Sequence, residues 1–445
     1  MEDYQEFGVA ASLPFHLHIC ISAYLHIFKS AYPYFCFLMN DPISFDNTAI
    51  AFAHKSNKEL KEAHWLFGMM GKPWLVQIGT RLAPWSIKAG LPVKGIIRKT
   101  IFKQFVGGET LKETATVAKH LAESNVKVIL DYGVEGAEGE AAFDGSADEF
   151  IKVIQYAATQ PNIPYMSIKV TGFARFGLLE RLDTLMKESG KNRLLDAYNH
   201  ALQQLSPAEI GEWNRVYKRM LKISDAASAA GVGVLVDAEE TWIQDPVDAL
   251  TMVMMASFNK EKVVLYNTVQ LYRHDRLAFL KQSYEDAIAS AFLLGAKLVR
   301  GAYMEKERRR ATEKGYASPI QPSKETSDKD YNEAVRFCID RLDVISVIIA
   351  SHNEGSNLLA AKLLSEKNLP LSHPHVHFSQ LYGMSDNITF NLAKAGCSVS
   401  KYLPFGPIKD VVPYLMRRAQ ENTSVGGQTS RELGLIKKEL QRRKM

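Results

Sequence analysis

Eight short runs rich in β-branched and aliphatic residues recur along this chain, at 126–130, 165–169, 233–237, 263–270, 297–300, 346–351, 376–380 and 398–402. Segments of helical length separate most neighbours, among them 210–230, 244–258, 278–294, 329–342, 355–367 and 385–395. Parallel strands need a crossover of a dozen or more residues, usually a helix, so this alternation predicts a parallel sheet. Eight such units predict that the sheet closes, giving an α/β fold built as a distorted (βα)8 TIM-like barrel. The gap at 170–232 is too long for a loop, and Leu185, Leu195, Tyr198, Leu202 and Leu205 keep a helical rhythm there. It predicts a helical insertion between the second and third strands. Residues 57–73, 85–106 and 109–124 predict helices ahead of the barrel, the second broken at Pro92. Residues 305–326, rich in Lys, Arg, Glu, Ser and Pro, read as a mobile loop near the barrel mouth.

The first forty residues have a different texture. Aromatic and aliphatic side chains crowd 12–39, but histidines and Lys29 interrupt them, and the start is acidic (Glu2, Asp3, Glu6). That suits neither a spanning helix, nor a signal peptide, nor an Arg-rich transit peptide. Two readings stay open: a hairpin contacting a membrane or subunit, or upstream sequence ahead of a start near Met39. Ordinary globular texture begins at Ile43, which favours the second. The expected organisation is a leader at 1–42, a helical arm at 43–125, the barrel at 126–427 and a basic tail at 428–445.

The strand ends carry the chemistry. The runs finish on, or run into, Asp131, Lys169, Asp237, Gln270, Arg300 to Tyr303, His352 with Asn353, Gln380 and Tyr402. In such barrels the carboxyl ends of the strands face the active site. Polar loops explain any one of these residues; they explain the whole set poorly, because the opposite strand ends are bland.

Other chemistries drop out. The 54 basic residues are nearly offset by 49 acidic ones, a net charge of +5, and no nucleic-acid signature accompanies them. The four cysteines (Cys20, Cys36, Cys338, Cys397) form no Cys-x-x-Cys pair, which argues against a disulfide framework and a thiolate metal site and for a reducing compartment. His373, His375 and His377 have metal-ligand spacing but open the seventh strand, at the wrong end of the barrel, so no metal is expected. Gly231-Val-Gly233 precedes a strand, whereas a dinucleotide loop follows one.

After the eighth strand, Tyr414, Arg417, Arg418 and Glu421 fall on one helix face, with Val411, Val412, Leu415 and Ala419 on the other. Two adjacent guanidiniums, one steadied by Glu421, would make a carboxylate clamp. Spacing alone fits a solvated face with an Arg417–Glu421 ion pair at least as well. Lys169 reads as a Schiff-base nucleophile, a counter-ion for an anionic substrate, or a snorkelling surface lysine. Asp237 could orient an amine, serve Lys169, or cap a helix.

At these residues the sequence resembles the proline dehydrogenase family, over about 45–427. The matching motifs are Val-Asp-Ala-Glu-Glu at 236–240, Leu-Val-Arg-Gly-Ala-Tyr at 298–303 and Ser-His-Asn at 351–353. The most specific is Tyr-Leu-Pro-Phe-Gly-Pro at 402–407, leading to Tyr-Leu-Met-Arg-Arg-Ala-Gln-Glu-Asn at 414–422. The resemblance implies a distorted (βα)8 barrel with leading helices and a last helix over its mouth. It implies FAD as cofactor, oxidation of L-proline to Δ1-pyrroline-5-carboxylate, and a quinone as electron acceptor. It gives catalytic roles to Lys169, Asp237, Tyr402, Arg417 and Arg418. Lys169, Arg417 and Arg418 would bind the proline carboxylate and Glu421 would orient an arginine. Tyr402, Tyr414 and Leu298 would shape the pocket around the ring, and Asp237 would support Lys169 and the substrate nitrogen. Gln270, Lys297, Gly301, Ala302, Tyr303, Lys324, His352, Asn353 and Gln380 would line the FAD, while Asp131 and Glu135 would sit at the mouth. Two departures stand out: Lys297 where some members carry an arginine at the flavin edge, and Met304 where some place a tryptophan against the adenine.

Tyr402 would crowd a ring hydroxyl, which favours plain proline over hydroxyproline. The basic residues Lys437, Lys438, Arg442, Arg443 and Lys444 suit either a solvated helix end or contact with an anionic surface. The expected location is cytoplasmic, peripheral to the inner face of a membrane. Oligomeric state is not legible. Two rival functions remain: a Schiff-base barrel aldolase using Lys169, and an inactive barrel acting as a binding protein.

Overall fold

The structure, a computed structural model, describes residues 43–445 apart from 73, 75, 78–93, 134–137 and 425–427. The expected leader, the region around the Pro92 break and Glu135 therefore lie outside the described residues.

Eight parallel strands close a barrel in sequence order. They are β1 (Lys127–Tyr132), β2 (Tyr165–Ile168), β3 (Gly233–Val236), β4 (Leu265–Gln270), β5 (Leu294–Val299), β6 (Ile345–Ala350), β7 (Val376–Leu381) and β8 (Val399–Phe405). The last strand closes on the first, from Lys127↔Ser400 to Tyr132↔Phe405. Every expected strand is present, with shifted ends. β5 starts at Leu294, ahead of the expected run, because Gly295 has no β-preference to read. Its glycine is structural: a Cβ there would stand 2.1 Å from the Leu265 carbonyl oxygen of β4. β8 runs on past Tyr402 through Pro404, whose missing N–H ends a pattern reading. The Pro404 carbonyl still accepts from Gly107 N–H at 2.8 Å.

The longer helices preceding the barrel are α1 (Asn57–Met70) and α2 (Leu111–Ala122), and shorter helical turns lie at Thr48–Ala51 and over 94–105, the latter including a π-helical turn at Arg98–Phe102. Ser56 and Glu59 form a capping box at the start of α1. Around the barrel run α3 (Glu140–Ala158), α4 (Phe176–Glu188), α5 (Leu194–Gln203), α6 (Pro207–Ala230), α7 (Thr241–Phe258), α8 (Arg276–Ala289), α9 (Met304–Lys314), α10 (Lys324–Ile339), α11 (Glu354–Glu366) and α12 (Asp386–Lys394). Helices α13 (Ile408–Ser424) and α14 (Gln428–Arg442) end the chain. The insertion between β2 and β3 is α4 to α6. Leu178, Leu179 and Leu182 of α4 are fully buried, and α6 starts on a Ser206–Glu209 capping box with Pro207 at its first turn.

One expectation fails. The first half of the segment read as a mobile loop is helix α9. Its composition is that of a solvated face, but Glu307 is fully buried and accepts from Thr241 N–H at 2.8 Å and Thr241 Oγ1 at 2.7 Å. A carboxylate at the start of α7 also meets the helix dipole favourably. Arg310 lies 4.2 Å over the Trp242 ring and Lys306 pairs with Glu240.

The mouth helix is held from behind. Val411, Val412 and Leu415 of α13 share one apolar cluster with Leu60, Phe67 and Met70 of α1 and Leu435 and Ile436 of α14. The basic stretch at 428–445 is thus a packed helix, and burying these side chains stabilises it by about 1.5–3 kcal/mol each.

Candidate active site

A cavity of about 1630 Å³ opens at the carboxyl ends of the strands. That exceeds the roughly 300–1,000 Å³ typical of small-ligand pockets. Its wall includes Lys169, Asp237, Gln270, Lys297, Gly301, Ala302, Tyr303, Lys324, His352, Asn353, Gln380, Tyr402, Tyr414, Arg417 and Arg418.

At its centre lies Asp237, one residue past β3. Lys297 Nζ, from β5, stands 2.5 Å from Asp237 Oδ1. Tyr402 OH, from β8, donates to Asp237 Oδ2 at 2.7 Å. Lys169, directly after β2, has its Nζ 3.8 Å from Asp237 Oδ2 and 3.6 Å from Asp131 Oδ1 of β1. Burial pushes the Asp237 carboxyl up, but the Lys297 and Lys169 ammoniums overcome it and hold the group down at about 2. Burial and the Asp131 and Asp237 charges raise the Tyr402 phenol well above its ordinary value.

Arg417 and Arg418 come from α13. Arg418 is only 5% exposed, and its guanidinium lies 5.1 Å over the Tyr414 ring. A solvated face would leave it in water, so that alternative for Arg418 falls. Arg417 is half-buried on the same cavity wall. It acts electrostatically on Tyr303, as does Lys169; burial raises that phenol further than the two cations lower it. Glu421 belongs to α13, but its side chain is outside the described set.

The other expected wall residues divide into those turned to the cavity and those committed to the protein. Gln270 Nε2 donates to Glu239 O at 3.1 Å, while its buried Oε1 has no hydrogen-bond partner among the described residues. Gln380 is committed, accepting from Thr389 Oγ1 at 2.8 Å and donating to Ser351 O at 3.2 Å. Asn353 caps α11, accepting from Ser356 N–H at 2.9 Å. Lys324, at the cavity rim, pairs with Asp328 at 2.5 Å. His352 Nδ1 lies 2.9 Å from Ser385 Oγ, and burial drops the imidazole to about 3, leaving it neutral. Gly301, at φ 145, presses against Tyr272, where a Cβ would meet the ring at 2.3 Å.

Leu298 must be corrected. Lys297 and Val299 of β5 face the cavity, and successive side chains of a strand point to opposite faces. Leu298 is fully buried and absent from the cavity wall. Sequence reasoning also missed residues on the wall. Glu239 accepts from Thr171 Oγ1 at 2.8 and 2.9 Å, and Ser385 and Glu432 join the rim from α12 and α14. Glu239 lay inside a quoted motif; Ser385 and Glu432 had no local signal. His375 Nδ1 lies 2.6 Å from Leu342 O, ahead of β7. Among the described residues no group of His, Cys, Asp or Glu is arranged to hold a metal.

The family model described as Proline dehydrogenase matches residues 114–431. The chain belongs to the proline dehydrogenase family. Membership makes it an oxidoreductase, and proline oxidation is the family's reaction. It is 35% identical to Proline dehydrogenase 1, mitochondrial, of Dictyostelium discoideum, over 80% of this chain and 67% of that one. It is 36% identical to the carbapenem antibiotics biosynthesis protein CarD of Pectobacterium carotovorum, covering 76% of this chain and 83% of that one. It is 30% identical to the hydroxyproline dehydrogenase of Xenopus laevis over 90% of each chain. Among solved structures it resembles proline utilization A from Bdellovibrio bacteriovorus, with TM-score 0.64 and 19% identity over 87% of this chain. The chain spans 40% of that protein's length, and the likeness is one of fold.

Proposed function

We propose that this proline dehydrogenase family member oxidises L-proline to Δ1-pyrroline-5-carboxylate, with FAD as resident cofactor and a quinone as the final acceptor. The observation that carries the reading is the gathering of Lys169, Arg417 and Arg418, from β2 and α13, on the wall that also holds the Asp237–Lys297–Tyr402 cluster. Planar guanidiniums and an ammonium suit a small carboxylate, and fixing it orients the ring and lowers the entropic part of the barrier.

The residues fit FAD on their chemistry. The cavity is large enough for a dinucleotide beside an amino acid, and the Gln270 Oε1 is a buried acceptor that a flavin ring N–H would satisfy. Gln270, Lys297, Gly301, Ala302, Tyr303, Lys324, His352, Asn353 and Gln380 would hold it. Bound FAD supplies the two-electron acceptor for the hydride leaving the ring carbon next to nitrogen.

The chain's own residues do the rest. Lys169, Arg417 and Arg418 bind the carboxylate. Tyr402 and Tyr414 bound the ring. Asp237, held ionised by two lysines, is a weak base and serves to orient the site, not to take the substrate proton. The cations disfavour a protonated substrate amine and so favour the reactive neutral form.

A Schiff-base aldolase needs Lys169 as a neutral amine. Lys169 Nζ instead lies at ion-pair distance from two carboxylates, 3.6 Å from Asp131 and 3.8 Å from Asp237, the setting of a counter-ion. Quinone delivery points to work in the cytoplasm against the inner face of a membrane. Among the described residues no helix is long and apolar enough to cross one.

The test is proline-dependent reduction of an artificial dye by the purified protein supplied with FAD. Turnover with proline supports the reading. A protein that takes up no flavin favours the aldolase, and bound flavin without turnover favours an inactive binding barrel.

A further inference from the structure

The C-terminal helix reaches into the cofactor side of the cavity. Glu432 of α14 is buried, and its Oε1 accepts from Ser385 N–H. Ser385 precedes α12 in the left-handed region, at φ 51 and ψ 44, which a non-glycine residue adopts only at a cost. Its hydroxyl meets His352 Nδ1 at 2.9 Å. The next residue, Asp386, anchors the corner from the other side. Lys401 of β8 lies 2.8 Å from it, with Lys55 at 3.3 Å and His54 at 3.5 Å. Lys401 also donates to Met384 O at 2.5 Å. The corner 384–386 is therefore clamped between β8, the N-terminal arm and α14. Glu432, Ser385, Asp386 and Lys401 are buried, with His54, Lys55 and His352 half-buried, so the centre of the clamp is poorly screened by solvent.

A buried cluster of this kind is costly to assemble, and packing did not require it, since the apolar cluster already docks α14. It meets the cavity wall at Met384, Ser385 and Glu432, and Ser385 passes it on to the imidazole of His352. A hydrogen bond at Nδ1 holds the ring's orientation, and hence where Nε2 is presented.

We propose that Glu432 is a positioning residue for FAD binding: through Ser385 it locks His352, so that docking of the last helix sets the cofactor site. This rests on the FAD reading above. Glu432 lies one residue beyond the segment matched by the family model, which ends at 431.

The experiment compares wild type with Glu432→Ala, Glu432→Gln and Ser385→Gly. FAD affinity is read by flavin fluorescence on apoprotein, and the His352 ring by 15N NMR without cofactor. Glu432→Ala should weaken FAD binding about tenfold and change the His352 ring 15N signals, because the Ser385 N–H loses its buried acceptor. Glu432→Gln keeps an amide oxygen for the Ser385 N–H and should stay near wild type in both readouts. Ser385→Gly relieves the backbone but removes the hydroxyl, so it should behave like Glu432→Ala, and it serves if that variant does not fold. Wild-type FAD affinity together with an unchanged His352 ring in a folded Glu432→Ala or Ser385→Gly protein overturns the proposal. If wild type binds no FAD, the FAD reading fails, and the His352 ring then decides the positioning role by itself.

Discussion

Lys297 Nζ lies 2.5 Å from Asp237 Oδ1, joining an inward lysine of β5 to the carboxylate just past β3. The same ammonium stands 5.1 Å over the Tyr402 ring, whose hydroxyl donates to the other oxygen of Asp237. The residue expected at the flavin edge is thereby coupled to the pocket expected around the substrate. Both members of the pair are largely buried. Removing one leaves a charge uncompensated, which typically costs about 3–5 kcal/mol. Lys297→Met and Asp237→Asn should each destabilise the protein, by about 2–4 kcal/mol here because Lys169 and Tyr402 remain. The double variant should lose less than the sum, by about 1–3 kcal/mol. Urea unfolding of the four proteins measures this, and strict additivity would deny the coupling.

Arg418 is the more enclosed of the two arginines on α13. Arg418→Met should raise the KM for proline about ten- to a hundredfold while FAD stays bound, because a charge-assisted bond to the carboxylate is lost. Arg418→Lys should recover little, since a point charge does not replace a planar fork. Steady-state kinetics with the flavin spectrum recorded alongside decides it; an unchanged KM removes Arg418 from the carboxylate site.

Helix α9 depends on Glu307. Glu307→Ala strands two donors of Thr241 in a buried setting and should cost about 2–3 kcal/mol. The helix should also open locally. Arg308 and Arg309 are already exposed, so trypsin should cut there faster in the variant. Equal cleavage rates would mean that the other contacts of α9 hold it alone.

Burial drops both His352 and His377 to about 3, from an ordinary 6.5. Between those values the unfolded chain binds protons that the folded chain does not, so each histidine costs stability as pH falls from about 6.5 towards 3. Glu432 and Asp183, raised by burial to about 7, act in the opposite sense between their ordinary values and 7. The histidine contribution is isolated by difference. The stability advantage of wild type over His377→Gln should shrink by about 2 kcal/mol from pH 7 to pH 5. Denaturation at the two pH values measures it, and a constant difference would mean that His377 titrates in the fold as it does in the unfolded chain.

The barrel and most of its mouth were legible because parallel strands buried on both faces read as continuous apolar runs. Asp131, Lys169, Asp237 and Gln270 end or follow such runs, and the structure brings them to one cavity. The same property hid Leu298. A strand that is apolar on both faces does not announce which parity points inward, and only the barrel fixes Lys297 and Val299 as the inner pair. Helix α9 was hidden for another reason: one buried carboxylate anchors it, and Glu307 looks locally like any glutamate of a solvated face. Ser385 and Glu432 meet across 47 residues, a distance over which no spacing rule speaks.

The central claim is that the cations around the mouth hold a carboxylate so that the attached ring can reduce the flavin. It is tested most directly by anaerobic titration of the FAD-loaded protein, following the visible flavin absorbance. L-Proline should bleach the flavin, whereas pyrrolidine, the same ring without a carboxylate, should leave it oxidised at equal concentration. Bleaching by pyrrolidine as readily as by proline, or no bleaching by proline at all, would contradict the account.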